Sequence, residues 1–557
     1  MNGEKAVVYN CYCALSEVEF EEMRDDLEAI DGVELVLDGY DLCSESGQND
    51  LINEINARNI KKLLLICSAA SMPEQTFNRV QNETGVRPIP IIADEKGTLI
   101  EKVKDAIQNP PEAATIEDVV PAALVIGGGI AGIQAALDIA DAGFKVYLVE
   151  REPSVGGHMS QLDKTFPTLD CSACILTPKM VDVGRHPNID LMTYSEVIKT
   201  EGSAGHFKVR VRKKPRYVDI NKCTGCGLCA DACRLKGKIP NSFDVDMGKR
   251  GAIYVPFPQA VPLKYTIDAS RCLFLSKGKC GKAPSCLEAC ERDAIDFEQK
   301  EEIVELDVGA IVVATGYDQF DATLKPEYGY GDYDNVISGL EFERLCSASG
   351  PTAGNVVING KTPTSVVFIQ CVGSRDKNQN PYCSRVCCMY AAKQAHLVHE
   401  KIPGASIMIC YMDVRAFGKG YEEFYERVQR DNVLYVRGNP SEVYRKGDML
   451  IVRGEDTLTG EAYEKEADLV VLATGITPRA DADRMAEILG IERDKEGFFS
   501  VADPQHSIES LREGIFLAGC CQSPKDIPDT VAHASGAAAK AAILLSRSSK
   551  YKEEVVA

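Results

Sequence analysis

A chain of 557 residues with a 45% hydrophobic fraction has room for several cores of ordinary domain size. No apolar run approaches bilayer length, the opening "MNGEKAVVYN" lacks a signal peptide's apolar core, and a net charge of −21 argues against nucleic acid as the main partner. The expectation is a cytoplasmic protein without a membrane span, in which 22 cysteines serve as metal ligands or redox groups rather than as a disulfide scaffold.

Residues 1–118 alternate short apolar runs with helical spacing. "KAVVYN", "GVELVLDGY", "KKLLLIC" and "RPIPIIA" predict strands, while "EVEFEEMRDDLEA", "QNDLINEINAR" and "MPEQTFNRVQNE" predict helices. Such alternation implies a small parallel α/β domain. Cys11 and Cys13 follow the first strand, Cys43 follows the second and Cys67 ends the third. All four are therefore expected at the carboxyl edge of one sheet, where open α/β folds build their sites. Four thiols there could hold a [4Fe–4S] cluster, with buried structural cysteines as the alternative. "NPPEAATIEDVVP" reads as a linker.

Next comes "AALVIGGGIAGIQAALDIADAGFKVYLVERE": a strand, a glycine turn, a helix and a second strand. Gly127, Gly129 and Gly132 fit G-x-G-x-x-G, in which the first permits the turn, the second admits a pyrophosphate and the third packs helix on sheet. Glu150 ends the second strand, placed for a ribose hydroxyl. Dinucleotide binding is the reading. Near the other end, "EGIFLAGCCQSPKDIPDTVAHASGAAAKAAILL" resembles the closing segment of two-dinucleotide flavoproteins. With the turns "GAIVVATGYD" and "LVVLATGITPR", residues 120–215 and 303–545 resemble thioredoxin-reductase-like flavoproteins. That resemblance implies FAD, held also by Gly157 of "GGHM", by Gly519, and by Asp529 and Thr530 on the closing helix. Lys525 and His533 are candidates near the flavin ring, although a solvated lysine and a satisfied helical histidine are equally ordinary.

Residues 216–302 interrupt this flavoprotein. "NKCTGCGLCADACR" sets Cys223, Cys226, Cys229 and Cys233 at C-x2-C-x2-C-x3-C spacing, a bacterial ferredoxin signal. Cys272, Cys280, Cys286 and Cys290 form a second, wider set. In two-cluster ferredoxins the fourth cysteine of each run ligates the other cluster. One cluster would use Cys223, Cys226, Cys229 and Cys290; the other would use Cys272, Cys280, Cys286 and Cys233. The proline usual after each fourth cysteine is replaced by Arg234 and Glu291, and structural zinc is the rival.

"TSVVFIQCVGSRDK" should open a second Rossmann half, but it lacks G-x-G-x-x-G, so direct NAD(P)H binding is not expected there. Cys383 and Cys387 lie four apart, on one face if the helix has begun, with Cys388 adjacent and Cys371 at the strand end. A helix N-terminus favours thiolates. These four predict another cluster, with a redox disulfide around Cys387 and Cys388 as the alternative. The expected plan is an α/β domain at 1–118, FAD domain at 119–215, ferredoxin insert at 216–302, FAD-domain return at 303–349, second Rossmann-like half at 350–470 and FAD closing segment at 471–557.

Together with "CSRVCC", the phrases "LDCSACILTPKMVDVGRHPNI" and "AGCCQSPKDIPDTVAHASGAAAKAA" resemble the A-type subunits of heterodisulfide reductase over essentially the whole chain. The resemblance implies an electron-bifurcating iron–sulfur flavoprotein with FAD, and the four cysteine groups of this sequence add up to about four [4Fe–4S] clusters. Electron pairs would come from a hydrogenase or formate dehydrogenase subunit. One electron would pass to B- and C-type subunits that reduce the heterodisulfide and the other to ferredoxin, in a dimeric complex. No residue need act as a conventional acid, base or nucleophile. Larger members carry a second, C-terminal ferredoxin domain, whereas this sequence stops at "SKYKEEVVA", so a shorter form is expected. Two alternatives remain: a flavin-dependent disulfide reductase using the C-x-x-C of Cys171 and Cys174, and an electron-transfer flavoprotein that does not bifurcate.

Overall fold

Apolar alternation in the first hundred residues becomes a parallel sheet, and the chain as a whole forms two units, Met1–Glu117 and Asp118–Ala557. The computed structural model describes residues 5–12, 14–40, 42, 44–67, 77–86, 88–92, 96–108 and 119–548. Cys13, Cys43, the start of the third expected helix, most of the expected linker and the final "SKYKEEVVA" lie outside the described residues.

In the first unit, strands Ala6–Cys11, Val33–Gly39, Leu63–Cys67 and Pro88–Ile92 run parallel in the spatial order second, first, third, fourth. Because successive side chains alternate faces, Val8 and Leu64 meet helices Glu17–Glu28 and Lys96–Gln108, while Val7 and Leu65 meet helices Glu45–Arg58 and Asn78–Thr84. The helix Lys96–Gln108 was not anticipated. Ser44 caps the second helix by accepting from Gly47 N, so that helix begins three residues before the expected "QNDL". The register pairs Tyr9 with Leu65 and Asn10 with Ile66, so Cys11 and Cys67 end neighbouring strands.

The second unit is built on two parallel five-stranded sheets. One has the order Ile515–Leu517, Ala310–Val313, Ala122–Ile126, Lys145–Glu150, Ile189–Thr193. The other runs Val336–Ser338, Leu469–Thr474, Ser365–Val372, Ser406–Tyr411, Val433–Arg437. Each sheet has an antiparallel three-stranded companion. This is a thioredoxin-reductase-like, two-dinucleotide-domain α/β flavoprotein fold. A cysteine-rich, ferredoxin-like segment leaves the companion sheet after Lys213 and rejoins it at Glu302, and those two residues are paired across the ladder. An insertion whose ends are neighbours leaves the host strands in register. No helix among the described residues is long and apolar enough to cross a membrane.

The insert is anchored to the host by Arg344, on the helix Gly339–Cys346. Its side chain is fully buried, donates to Asp244 Oδ1 at 3.0 Å and to Gln161 O at 3.0 Å, and lies 4.8 Å over the Phe243 ring. Removing one partner of a buried ion pair strands the other's charge, at about 3–5 kcal/mol. The substitution Arg344→Met should therefore lower the thermal unfolding midpoint and let limited proteolysis cut first within the insert. An unchanged midpoint and cleavage pattern would refute this anchoring role.

Candidate functional site

Three glycines shape the first turn in three different ways. Gly127 has φ +106, where L side chains are strained, and a Cβ there would run into the Ala314 carbonyl. At Gly132, inside helix Ile130–Asp141, a Cβ would run into the Gly127 carbonyl, so the helix packs directly on the turn. Gly129, the residue before the helix, has nothing within 4 Å of such a Cβ. That open space belongs to a cavity of about 560 Å³, which starts at Gly127, Gly129 and Glu150 and reaches Tyr390, Lys393 and Gln394 in the second half. A glycine turn opening a helix N-terminus onto a cavity is an anion-binding arrangement. Glu150 Oε2 accepts from Gly128 N at 2.6 Å and Oε1 from Glu152 N at 2.7 Å. Burial nevertheless pushes its carboxyl above the usual range, so ligand hydroxyls at the cavity face would relieve a real deficit. The glycine cradle, the carboxylate and the cavity fit FAD.

The other residues expected at the cofactor divide. Gly157 and the buried Thr530 line the cavity. Gly519 does not; at φ +73 it forms the turn against Ala131 and Thr530. Asp529 turns outward from the first turn of helix Ile527–Leu545 and pairs with Arg385 at 2.9 Å. Asp526 takes its place on the wall, capping that helix through Asp529 N at 2.9 Å. Lys525 lines the cavity and donates to Ser523 Oγ at 2.7 Å, burial lowering its pKa. His533 is off the wall: Nδ1 accepts from Gly519 N at 3.0 Å and Nε2 donates to Ser507 O at 3.0 Å. Burial brings its pKa down to about 4, so it is a neutral structural histidine.

Sequence reasoning missed a buried pair on the same wall. Lys393 Nζ meets Glu343 Oε1 at 2.8 Å, with side chains 1% and 2% exposed, and Gln394 Nε2 also donates to that oxygen at 2.8 Å. Gln394 Oε1 is buried without a partner. The available signal was two polar residues continuing the buried face of "CCMYAAKQA", three and four residues after a tyrosine.

In the insert, the sulfurs adjoin in the crossed sets expected. Cys229 has Cys223, Cys226 and Cys290 as neighbours, and Cys286 has Cys233, Cys272 and Cys280. Burial, then the neighbouring sulfurs, push Cys229 up to about 12 and Cys286 up to about 11. Among the described residues no three His, Cys, Asp or Glu are arranged to hold a single metal ion. A four-iron cube takes one thiolate on each iron, so its sulfurs stand around it rather than meeting at a point.

Cys371 sits in a register shift of the strand Ser365–Val372, at φ +59. Helix Cys387–Lys401 begins only at Cys387, so the condition for a shared helix face is not met and Cys383 lies in the loop before it. The four sulfurs adjoin nonetheless: Cys387 has Cys371, Cys388 and Cys383 as neighbours. Burial pushes Cys371 up to about 12 and Cys387 well up, outweighing a helix N-terminus worth about 1 kcal/mol. Around Cys371, both side-chain polar atoms of Gln370, Ser374 Oγ and Arg375 Nη1 are buried and unpartnered, which suits an added polarisable group. In the first unit, Cys11 is buried at its strand end and Cys67 ends the adjacent strand. Cys171 caps helix Ser172–Arg185, accepting from Cys174 N at 3.3 Å, and Cys174 is exposed. Neither sulfur lies on the cavity wall.

A family model described as FAD dependent oxidoreductase matches residues 123–170. An iron-sulfur A-type subunit of the CoB-CoM heterodisulfide reductase of Methanopyrus kandleri is 48% identical over 99% of this chain and 87% of its own. The chain belongs to the family of heterodisulfide reductase A-type subunits. A second relative, the A-type subunit of the H(2)/formate:CoB-CoM heterodisulfide,ferredoxin reductase of Methanococcus maripaludis, is 44% identical over 100% of this chain and 87% of its own. Among solved structures, thioredoxin reductase from Lactococcus lactis aligns with 76% of this chain and 99% of its own, at 16% identity and a TM-score of 0.43. As a member of the heterodisulfide reductase family, the protein is an oxidoreductase that uses FAD and iron–sulfur clusters.

Two substitutions separate the parts of the cradle. Gly129→Val should fill the open space and leave the purified protein short of flavin absorbance, at unchanged solubility. Glu150→Gln replaces a charged acceptor with a neutral amide, and FAD binding should weaken about tenfold in a fluorescence titration of apoprotein. Full flavin occupancy in both variants would move the cofactor elsewhere.

Proposed function

We propose that this protein distributes single electrons within a heterodisulfide-reductase-type complex and splits electron pairs by flavin-based bifurcation. The observation that carries this reading is a single helix, Cys387–Lys401. It opens with two cysteines of a four-sulfur group and continues with Tyr390, Lys393 and Gln394 on the cavity wall. A flavin bound here exchanges electrons in pairs and singly, whereas iron–sulfur clusters carry them singly. Gly127, Gly129, Glu150, Gly157 and Thr530 would hold and orient the FAD. Lys393 Nζ, buried and paired with Glu343 at 2.8 Å, would place a hydrogen-bond donor beside the flavin. The insert's two crossed sets and the set of Cys371, Cys383, Cys387 and Cys388 would hold three clusters, and Cys11, Cys13, Cys43 and Cys67 a fourth. The boundaries read from the sequence, with cysteine-bearing domains at 1–118, 216–302 and 350–470, complete the proposal.

The relatives' names support a setting in which a hydrogenase or formate dehydrogenase subunit feeds the flavin. B- and C-type subunits would then take one electron, and ferredoxin the other, in a cytoplasmic dimer of the complex.

Iron analysis of anaerobically prepared protein should approach sixteen atoms per chain, about four per cluster. About eight would restrict metal to the insert. Cys387→Ser should lose about four irons and Cys174→Ser none. In the assembled complex, ferredoxin reduction should stop when the heterodisulfide is withheld; ferredoxin reduction that continues would leave a carrier that does not bifurcate. The lone chain should not reduce disulfides with NADPH. Rapid reduction abolished by Cys171→Ser would establish the disulfide-reductase alternative.

A further inference from the structure

Side chains as well as backbone N–H groups touch the sulfurs of the proposed cluster of Cys371, Cys383, Cys387 and Cys388. In the insert, backbone N–H groups donate to three of the sulfurs: Ala230 to Cys229, Leu287 to Cys286, and Ala294 to Cys290 at 3.4 Å. At the fourth-site cysteines every sulfur has a donor, and two of these are side chains. The Arg375 guanidinium serves Cys371 and the Tyr390 hydroxyl reaches Cys387, while the backbone N–H groups of Arg385, at 3.3 Å, and Arg415 serve Cys383 and Cys388.

Tyr390 alone among these also lines the flavin cavity. It follows Cys387 by three residues, close to one helical turn, so both lie on one face of the helix. Its hydroxyl has one hydrogen and two acceptors in reach: Thr474 O, to which it donates at 2.7 Å, and the Cys387 sulfur. Against a neutral thiol the carbonyl is the better acceptor. An iron-bound thiolate is charged and draws the hydrogen to itself, because charge-assisted hydrogen bonds are about twice as strong as neutral ones. A reduced cluster carries one more negative charge than an oxidised one, so such a donor favours the reduced form and raises the potential.

We infer that Tyr390 is a positioning residue for electron exchange at this site, its hydroxyl raising the cluster's reduction potential through Cys387 from the wall of the cavity proposed to hold the flavin. The inference rests on the cluster assignment proposed above. It makes this cluster easier to reduce with the hydroxyl in place than without it.

The test is an anaerobic redox titration of the full chain followed by electron paramagnetic resonance. The signal of this cluster is the one that disappears in Cys387→Ser. Tyr390→Phe keeps the ring and removes the hydroxyl; that one signal should shift to lower potential, with the other signals, the iron content and the flavin content unchanged. A signal that stays at its original potential in Tyr390→Phe overturns the role of Tyr390 and leaves the cluster assignment intact. If every signal persists in Cys387→Ser, the assignment itself falls, and the inference with it.

Discussion

Buried thiols cannot ionise side by side without a compensating positive charge, and much of this structure is arranged around that constraint. Cys229, Cys286, Cys371 and Cys387 are each held well above the ordinary thiol range by burial and by their neighbours' sulfurs. A cationic iron–sulfur core would reverse the balance: it would supply the charge, take the sulfurs as ligands and turn a costly grouping into a binding site. The unpartnered polar atoms of Gln370, Ser374 and Arg375 fit the same account, since donors without acceptors beside a set of thiols are complementary to an electron-rich cluster.

The two parallel sheets divide this work. The first sheet keeps the glycine turn and the acidic strand end that a dinucleotide needs. The second keeps the strand, loop and helix of the same architecture, but its loop carries cysteines, and the strand bulges at Cys371 to bring one of them into the group. One helix then belongs to both sites, two cysteines of the sulfur group at its start and cavity wall one turn later. A rigid helix fixes that separation within the length of a turn, which a loop could not do. The insert is tied in by different means: neighbouring strands at its ends, and the buried pair of Arg344 and Asp244 at its side.

Local pattern explains what was legible in advance. Gly127, Gly129 and Gly132 act within a few residues of one another, so their spacing already specified a strand, a turn and a helix. Each cysteine run of the insert was legible from short-range spacing in the same way, while the crossing, in which Cys290 joins Cys223, Cys226 and Cys229 and Cys233 joins Cys272, Cys280 and Cys286, followed from the ferredoxin pattern those runs fit. The α/β alternation of the first unit was visible for three of the four helices among its described residues; Lys96–Gln108 was overlooked although its apolar positions follow a helical period.

Long-range packing decided the rest. Asp529 and Asp526 are both acidic residues at one helix start, and only the tilt of that helix against the cavity sends the first out to Arg385 and the second inward. Glu343 and Lys393 are fifty positions apart, and their contact depends on how two helices pack over one sheet. Cys383 joins its group from a loop, where helical spacing carries no information. Cys171 and Cys174 looked poised for the flavin by order in the chain, yet their helix turns them from the cavity. By itself, then, the sequence determined the dinucleotide turn, the ferredoxin-like insert and the family, because each is written in residues close together along the chain. Only the tertiary structure decided which polar groups face the cavity and which sulfurs share it through one helix, because those depend on surfaces that meet after the chain has folded.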